Sequence, residues 1–335
     1  MKELIVGLAR RIRRDLMSVS GATAGRELVG ESPGGDAQFG IDEIAERAIT
    51  SFLRESGCGP IAVYTEDRGL TCFGANPRHL LVIDPIDGTR PAAAGLDLAT
   101  VSIAAAPMSA EPRLADVTHA LLLELGSGRS LYAGPEAGGL SADGYAGTVP
   151  ALGKRRDLGA MFWSFELNGH PMNLMSAAYG RLVDASANTG GVFVFNSATF
   201  SISRIITGQL DAYVDIGNRL LKDHPATEPE FLAAGHGHIL HLFPYDIAAA
   251  VVLAERAGVV ITDGYGRSLG PTLLLDVSAG NQQSCVAAAN PVLHARLLEA
   301  IDWQAGADGP REPKGVPGGE WGGKHLHPRL DVIMR

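Results

Sequence analysis

Apolar residues recur near the start of the chain at Leu4, Ile5, Leu8, Ile12, Leu16 and Val19, the three-and-four spacing of one helix face. Ile41, Ile44, Ala45, Ala48, Ile49, Phe52 and Leu53 repeat that spacing and predict a second helix over 41–55. The period then shortens. Strands are predicted at 61–65, 80–83 and 99–106, and the runs 117–125 and 130–133 flank a Gly-Ser-Gly turn as a hairpin. From 135 to 150 glycine and alanine replace large apolar residues, which predicts a loop and the boundary of a first lobe, 1–150.

The second half alternates. Strands are predicted at 161–167, 191–195, 211–216, 259–262 and 284–289, and helices at 173–182, 197–207, 246–257 and 291–301. This alternation favours an α/β layer for a second lobe, 151–302. Beyond Asp302 the chain turns to glycine, proline and charge, so 303–335 is expected to be a poorly ordered or surface-draped tail. No repeat of fixed period is visible.

Composition narrows the classes. The 335 residues suit two lobes, and 46% hydrophobic with 19% charged residues describes a globular protein with a large core. A net charge of −9 argues against a nucleic-acid partner. No apolar run reaches a membrane span, and the basic residues Arg10, Arg11, Arg13 and Arg14 are interleaved with apolar ones. They read as the solvated face of helix one, open to contact with another subunit, and not as a signal peptide. Cys58, Cys72 and Cys285 have no close pairing and read as reduced, buried thiols of a cytoplasmic protein.

Carboxylates gather at the ends of the predicted elements. Glu66 and Asp67 follow one strand, Asp84 and Asp87 follow another, and Asp246 opens a helix. Each alone is an ordinary cap or turn residue. Brought together they would repel and raise one another's pKa values unless cations intervened, and an all-oxygen set suits magnesium. The tight turn at Gly88 and Thr89 offers backbone N–H groups to an anion. A metal cluster beside such a turn points to phosphoryl transfer.

The string Asp84-Pro85-Ile86-Asp87-Gly88-Thr89 resembles the signature of the inositol monophosphatase family, within the lithium-sensitive sugar phosphatases and fructose-1,6-bisphosphatases. Asp42 with Glu46 one turn later, Thr65-Glu66-Asp67, Asn196-Ser197-Ala198, Gly208 to Tyr213 and Tyr245-Asp246-Ile247-Ala248 extend the resemblance over about 36–265. The resemblance implies a layered αβαβα sandwich of two lobes, of α+β or α/β class, and a homodimer. It implies two or three Mg2+ ions and a small-molecule phosphate ester as substrate. Glu66, Asp84 and the carbonyl of Ile86 would hold one metal, and Asp84, Asp87 and Asp246 a second. Thr89, hydrogen-bonded to Asp42, would orient and help deprotonate the attacking water, with Glu66 at the same centre. Gly88, Thr89, Arg90, Asn196, Ser197 and Asp215 would meet the substrate, Asp215 through sugar hydroxyls. The implied reaction is hydrolysis of a polyol, sugar or nucleoside phosphate; the alternatives are a bisphosphatase or a silent sugar-phosphate binder.

Three features depart from the family pattern. After Asp-Gly-Thr the family has any residue, then Asn-Phe, whereas this chain has Arg90-Pro91-Ala92. Pro91 is expected to push Arg90 toward extended backbone. Arg90 would then grip a second anionic group of the substrate, or brace the loop through a protein carboxylate. Tyr245 replaces a tryptophan, and a long insert separates Ile216 from Asp246. The insert holds His236, His238 and His241, which could ligate zinc; no further ligand stands at suitable spacing, so they read as an edge lining the substrate mouth. Lys154, Arg155 and Arg156 read as a solvated loop or an attractor of anionic substrate.

Overall fold

The computed structural model describes residues 1–18 and 27–307. The first apolar stripe folds as α1 (Lys2–Met17), burying Ile5, Leu8, Ala9, Ile12 and Leu16; Val19 lies outside the described residues. Two short strands the pattern did not signal, β1 (Leu28–Glu31) and β2 (Ala37–Phe39), pair antiparallel as a small hairpin. The second stripe folds as α2 (Gly40–Ser56) and stops at Gly57, whose φ of 59° forms a left-handed cap.

Seven strands then build the large sheet. They are β3 (Ile61–Thr65), β4 (Gly69–Phe73), β5 (His79–Asp87), β6 (Thr100–Pro107), β7 (His119–Glu124), β8 (Ser130–Gly134) and β9 (Gly139–Asp143), with the short helix α3 (Thr89–Ala93) after β5. Their spatial order is β4-β3-β5-β6-β7-β8-β9, and every pair is antiparallel except β3 with β5. The expected loop at 135–150 is corrected in part. Leu140 and Ala142 pair with Ala133 and Leu131, so backbone hydrogen bonding makes a strand of a segment with few large side chains.

The remainder runs β10 (Phe162–Phe165), α4 (Met172–Ser186), β11 (Gly191–Phe193), α5 (Ala198–Ile206), β12 (Ala212–Asp215), α6 (Gly217–Asp223), α7 (Glu228–Ala234), α8 (Pro244–Ala257), β13 (Val260–Thr262), β14 (Cys285–Ala288) and α9 (Pro291–Ala300). The five strands order as β11-β10-β12-β14-β13, the first two pairs parallel and the last two antiparallel. The insert thus contributes α6 and α7.

Period-two alternation sets the layers. Leu81 and Ile83 of β5, with Val101 and Ile103 of β6, face α1 and α2. Leu80, Val82 and Ala104 face the opposite way, onto Ile202 and Ile205 of α5 and Ile247 and Val251 of α8. Because α8 lies between two sheets it is apolar nearly all round. On the far side of the second sheet, Trp163, Phe165, Val214 and Val286 pack with Met175, Tyr179, Leu293 and Leu297 of α4 and α9. The result is an αβαβα sandwich, as the resemblance implied.

Other expectations are refined. Arg11 pairs with Asp15 and Glu55, and Arg13 donates to the carbonyls of Leu125 and Gly126 at 2.7 and 2.8 Å, so half of helix one's basic face is tied down within the chain, while Arg10 and Arg14 stay exposed. Arg155 lies 3.4 Å from Asp211. Only Cys285 is buried; Cys72 is exposed because β4 is an edge strand. Within the stretch expected as a tail, Ala305 is buried and the Trp303 carbonyl bonds His224 Nε2 at 2.7 Å; residues 308–335 lie outside the described residues. No helix among the described residues is long and apolar enough to cross a membrane.

Candidate active site

The carboxylates meet at one end of β5. Pro85 cannot donate to the ladder, and the β5–β6 register shifts between Asp84 and Asp87. The Ile86 amide instead donates to Asp84 Oδ1 at 2.9 Å. Gly88 takes φ 92°, and a Cβ there would sit 3.0 Å from both the Leu98 carbonyl oxygen and Ser197 Cβ. Only glycine fits this turn. From it starts α3, and here the sequence expectation is corrected: Arg90 is helical, because Pro91 falls in a first turn where no N–H is needed.

A cleft opens at this point, lined by Glu66, Asp84, Asp87 and Asp246. Each of three aspartates has one oxygen held. Asp84 accepts from Ile86, as above; Asp246 Oδ2 accepts from the Phe243 amide at 2.7 Å, across the first turn of α8. Asp87 Oδ2 accepts from the Thr199 amide at 2.6 Å, from Ser197 Oγ at 2.8 Å and from the Thr199 hydroxyl, so it caps α5 as an anion at the helix N-terminus. Burial first, and then neighbouring carboxylates, push Glu66, Asp84 and Asp246 well above the ordinary range; burial also raises Asp87 against its hydrogen bonds.

Asp42 is the third residue of α2, where its carboxylate accepts from the Phe39 amide at 2.7 Å. Burial pushes it up to about 7, and Thr89 is among the groups that oppose the rise. The Thr89 hydroxyl itself donates to the Ile86 carbonyl at 2.9 Å. The expected hydrogen bond between Thr89 and Asp42 is among the interactions that act on the Asp42 carboxyl, so the hydroxyl stands between that carboxyl and the Ile86 carbonyl. Glu46, one turn on, is also pushed up to about 7 by burial, although Arg68 lies 3.2 Å away; the arginine is half in water.

The remaining sequence-predicted residues reach the same cleft, two of them with side chains committed to other groups. Asn196 lines it with φ 52°; the Ser197 hydroxyl is committed to Asp87, which removes it as a free substrate donor. Asp215 lines the cleft and lies 3.6 Å from His170 Nε2. Arg90 lines it too, but Nη2 and Nη1 lie 2.7 and 3.3 Å from the Asp36 oxygens, so the guanidinium braces the hairpin turn. The three insert histidines diverge: His238 is 3.4 Å from Glu31, whereas His241 is buried in the cleft wall beside His170.

The model of the inositol monophosphatase family matches residues 1–304. This chain belongs to that family. It is 23% identical over 309 residues to a fructose-1,6-bisphosphatase/inositol-1-monophosphatase of Methanothermobacter thermautotrophicus, covering 90% of this chain and 96% of that one. It is also 23% identical over 316 residues to a bifunctional NADP phosphatase/NAD kinase of Methanococcus maripaludis, covering 89% of this chain and 48% of that one. In fold it resembles a Pyrococcus horikoshii protein with similarities for inositol-1 monophosphatase, with a TM-score of 0.62 at 21% identity over 90% and 98% of the two chains. The family makes the chain a phosphatase of phosphate monoesters, of a metal-dependent kind.

The donor set of this inositol monophosphatase family member fits a hard divalent cation. All the donors are oxygens, and Asp84 and Asp246 each keep a second oxygen free of protein hydrogen bonds among the described residues. No group of three or more His, Cys, Asp or Glu among the described residues forms a ready-made metal cage. Sequence reasoning missed four lining or supporting residues: Asp36, Glu166, Asn168 and Thr199. A glycine-rich turn before Asp36 and a lone acid ending the apolar run of β10 were the available signals.

Proposed function

We propose that the chain is a magnesium-dependent phosphomonoesterase that hydrolyses a small polyol, sugar or nucleoside phosphate by direct attack of water. The observation that carries this reading is the placing of Glu66, Asp84, Asp87 and Asp246 around one cleft entered by the Gly88–Thr89 turn. Glu66, Asp84, Asp246 and the free side of Asp87 would hold two or three Mg2+ ions, with the Ile86 carbonyl, whose second lone pair is open beside Thr89, as a further ligand. Magnesium, when bound, supplies Lewis-acid stabilisation of charge on the phosphoryl group. The turn amides of Gly88 and Thr89 hold the phosphate. Thr89 orients the attacking water in line with phosphorus; when its hydroxyl turns from the Ile86 carbonyl to Asp42, it accepts the water's proton as it passes its own to that carboxylate, poised at about 7.

Two relatives' names favour a second reading, a bisphosphate or nucleotide substrate. Phosphate release from inositol, sugar and nucleotide phosphates, titrated with Mg2+, tests both. Release from none of them at any magnesium concentration would leave a silent binder. A cytoplasmic homodimer accompanies this reading; light scattering on the purified chain checks the dimer.

A further inference from the structure

Asp87 is held differently from its neighbours. Asp84 and Asp246 each accept one amide from their own turn, that of Ile86 and that of Phe243. Asp87 Oδ2 draws its donors from the start of α5: the Thr199 amide at 2.6 Å, Ser197 Oγ at 2.8 Å and the Thr199 hydroxyl. That hydroxyl also meets Thr100 Oγ1 of β6, and both threonines are fully buried. Thr100 stands opposite Asp87 in the β5–β6 ladder, just past the register shift.

Two plainer roles do not account for the Thr199 hydroxyl. It is not the helix cap, because Ser197 Oγ already accepts from the Phe200 amide at 3.2 Å. Nor does it turn back onto its own helix. Ser201 and Ser203 return their hydroxyls to the carbonyls of Ser197 and Phe200 at 2.8 and 2.7 Å, the ordinary use of a buried helical hydroxyl. Thr199 reaches across to Asp87 instead. The order of the protons follows from the acceptor. A carboxylate only accepts, so Thr199 donates to Asp87 Oδ2, and its oxygen accepts from Thr100. The chain runs from Thr100 through Thr199 to Asp87, tying one carboxylate oxygen to both β6 and α5. Oδ1 is left for the cleft that Asp87 lines.

We propose that Thr199, with Thr100 behind it, is a positioning residue that fixes Asp87 for a divalent cation. The inference rests on the metal-dependent reading above. Groups that orient a metal ligand contribute about 10- to 100-fold to metal affinity. Calorimetric titration of the whole chain with Mg2+, beside melting of the metal-free protein, tests it. In Thr199→Val, which keeps the shape and the amide but loses the hydroxyl, one Mg2+ site weakens about tenfold. Thr199→Ser returns that site to near wild type. Thr100→Val weakens it by a smaller factor, and the double variant is no weaker than Thr199→Val, because Thr100 acts through Thr199. A merely structural hydroxyl would lower the metal-free melting temperature and leave every Mg2+ Kd unchanged. That result in Thr199→Val overturns the proposal, as does a Thr199→Ser variant as weak as Thr199→Val, or effects that multiply in the double variant. Should Thr199→Val fail to fold, an unchanged Mg2+ Kd in Thr100→Val overturns it by itself. No Mg2+ binding by wild type overturns the metal reading, a separate result.

Discussion

Arg90 Nη2 lies 2.7 Å from Asp36 Oδ1, so a guanidinium carried by the turn after Asp87 grips the turn between β1 and β2. Asn168 donates to the same carboxylate at 3.2 Å, which brings three distant parts of the chain to one anion. The fork is a strong geometry, but the Arg90 side chain is 36% exposed, and water screens the pair. A double-mutant cycle of Arg90→Ala and Asp36→Ala should give a coupling of about 1 kcal/mol in denaturant unfolding. Activity on mono- and bisphosphates should fall together in Arg90→Ala. A coupling near zero, or loss confined to bisphosphates, would return Arg90 to the substrate.

Asp84→Asn should separate folding from turnover. It removes one of the buried like charges near Asp87 and Asp246, so the magnesium-free variant should melt above wild type. Magnesium at a hundred times its Kd stabilises a folded-state binder by about 2.7 kcal/mol. Wild type should gain that increment, and Asp84→Asn should gain little and turn over no substrate. Equal magnesium-induced shifts in the two proteins would remove Asp84 from the metal site.

The metal-free protein should lose stability as pH rises. Burial pushes Asp42 and Glu46 up to about 7 and Glu166 to about 8. Above about pH 4 the unfolded chain has released these protons while the folded chain still holds them. Unfolding free energy therefore falls with rising pH through that window and levels off above about pH 8, by up to about 1.4 kcal/mol per pH unit for each proton difference. Glu124, lowered by Arg204 and its hydrogen bonds despite its burial, acts in the opposite sense but below the window. Melting in EDTA from pH 5 to pH 8.5 checks this; a rising midpoint across the range would contradict it.

Why some of this was legible and some not is visible in particular residues. Ile5, Leu8 and Ile12 announce their burial by period, and Leu80 to Ile83 by an unbroken apolar run, because a helix stripe packs on one face and a strand between two layers packs on both. Asp84 and Asp87 stand out because a strand rarely ends in two acids around a proline. β1, β2 and β9 carry no such stripe; backbone pairing makes them, and pairing partners are not written locally. The same holds for Asp36 and Glu166, which are ordinary surface-type residues until the fold carries them to the cleft. Pro91 misled because a proline reads alike whether it ends a helix or opens one.

Thr89 gives the sharpest test of the chemistry. Its hydroxyl is held by the Ile86 carbonyl at 2.9 Å and stands beside Asp42, so its orientation is set before substrate arrives. If that hydroxyl positions water for Asp42, Thr89→Ala should lower kcat by about 10²–10⁴, the range for a lost acid–base contribution, with KM little changed. Thr89→Ser keeps the hydroxyl and should retain most of the rate. Asp42→Asn keeps the cap on the Phe39 amide through its side-chain carbonyl but cannot accept a proton. It should therefore fold, lose kcat by a similar factor, and show no rising limb in its kcat–pH profile where wild type is expected to show one. Thr89→Ala at wild-type kcat, or a rising limb that survives in Asp42→Asn, would assign the proton to another group, with Glu66 the next carboxylate on the cleft to examine.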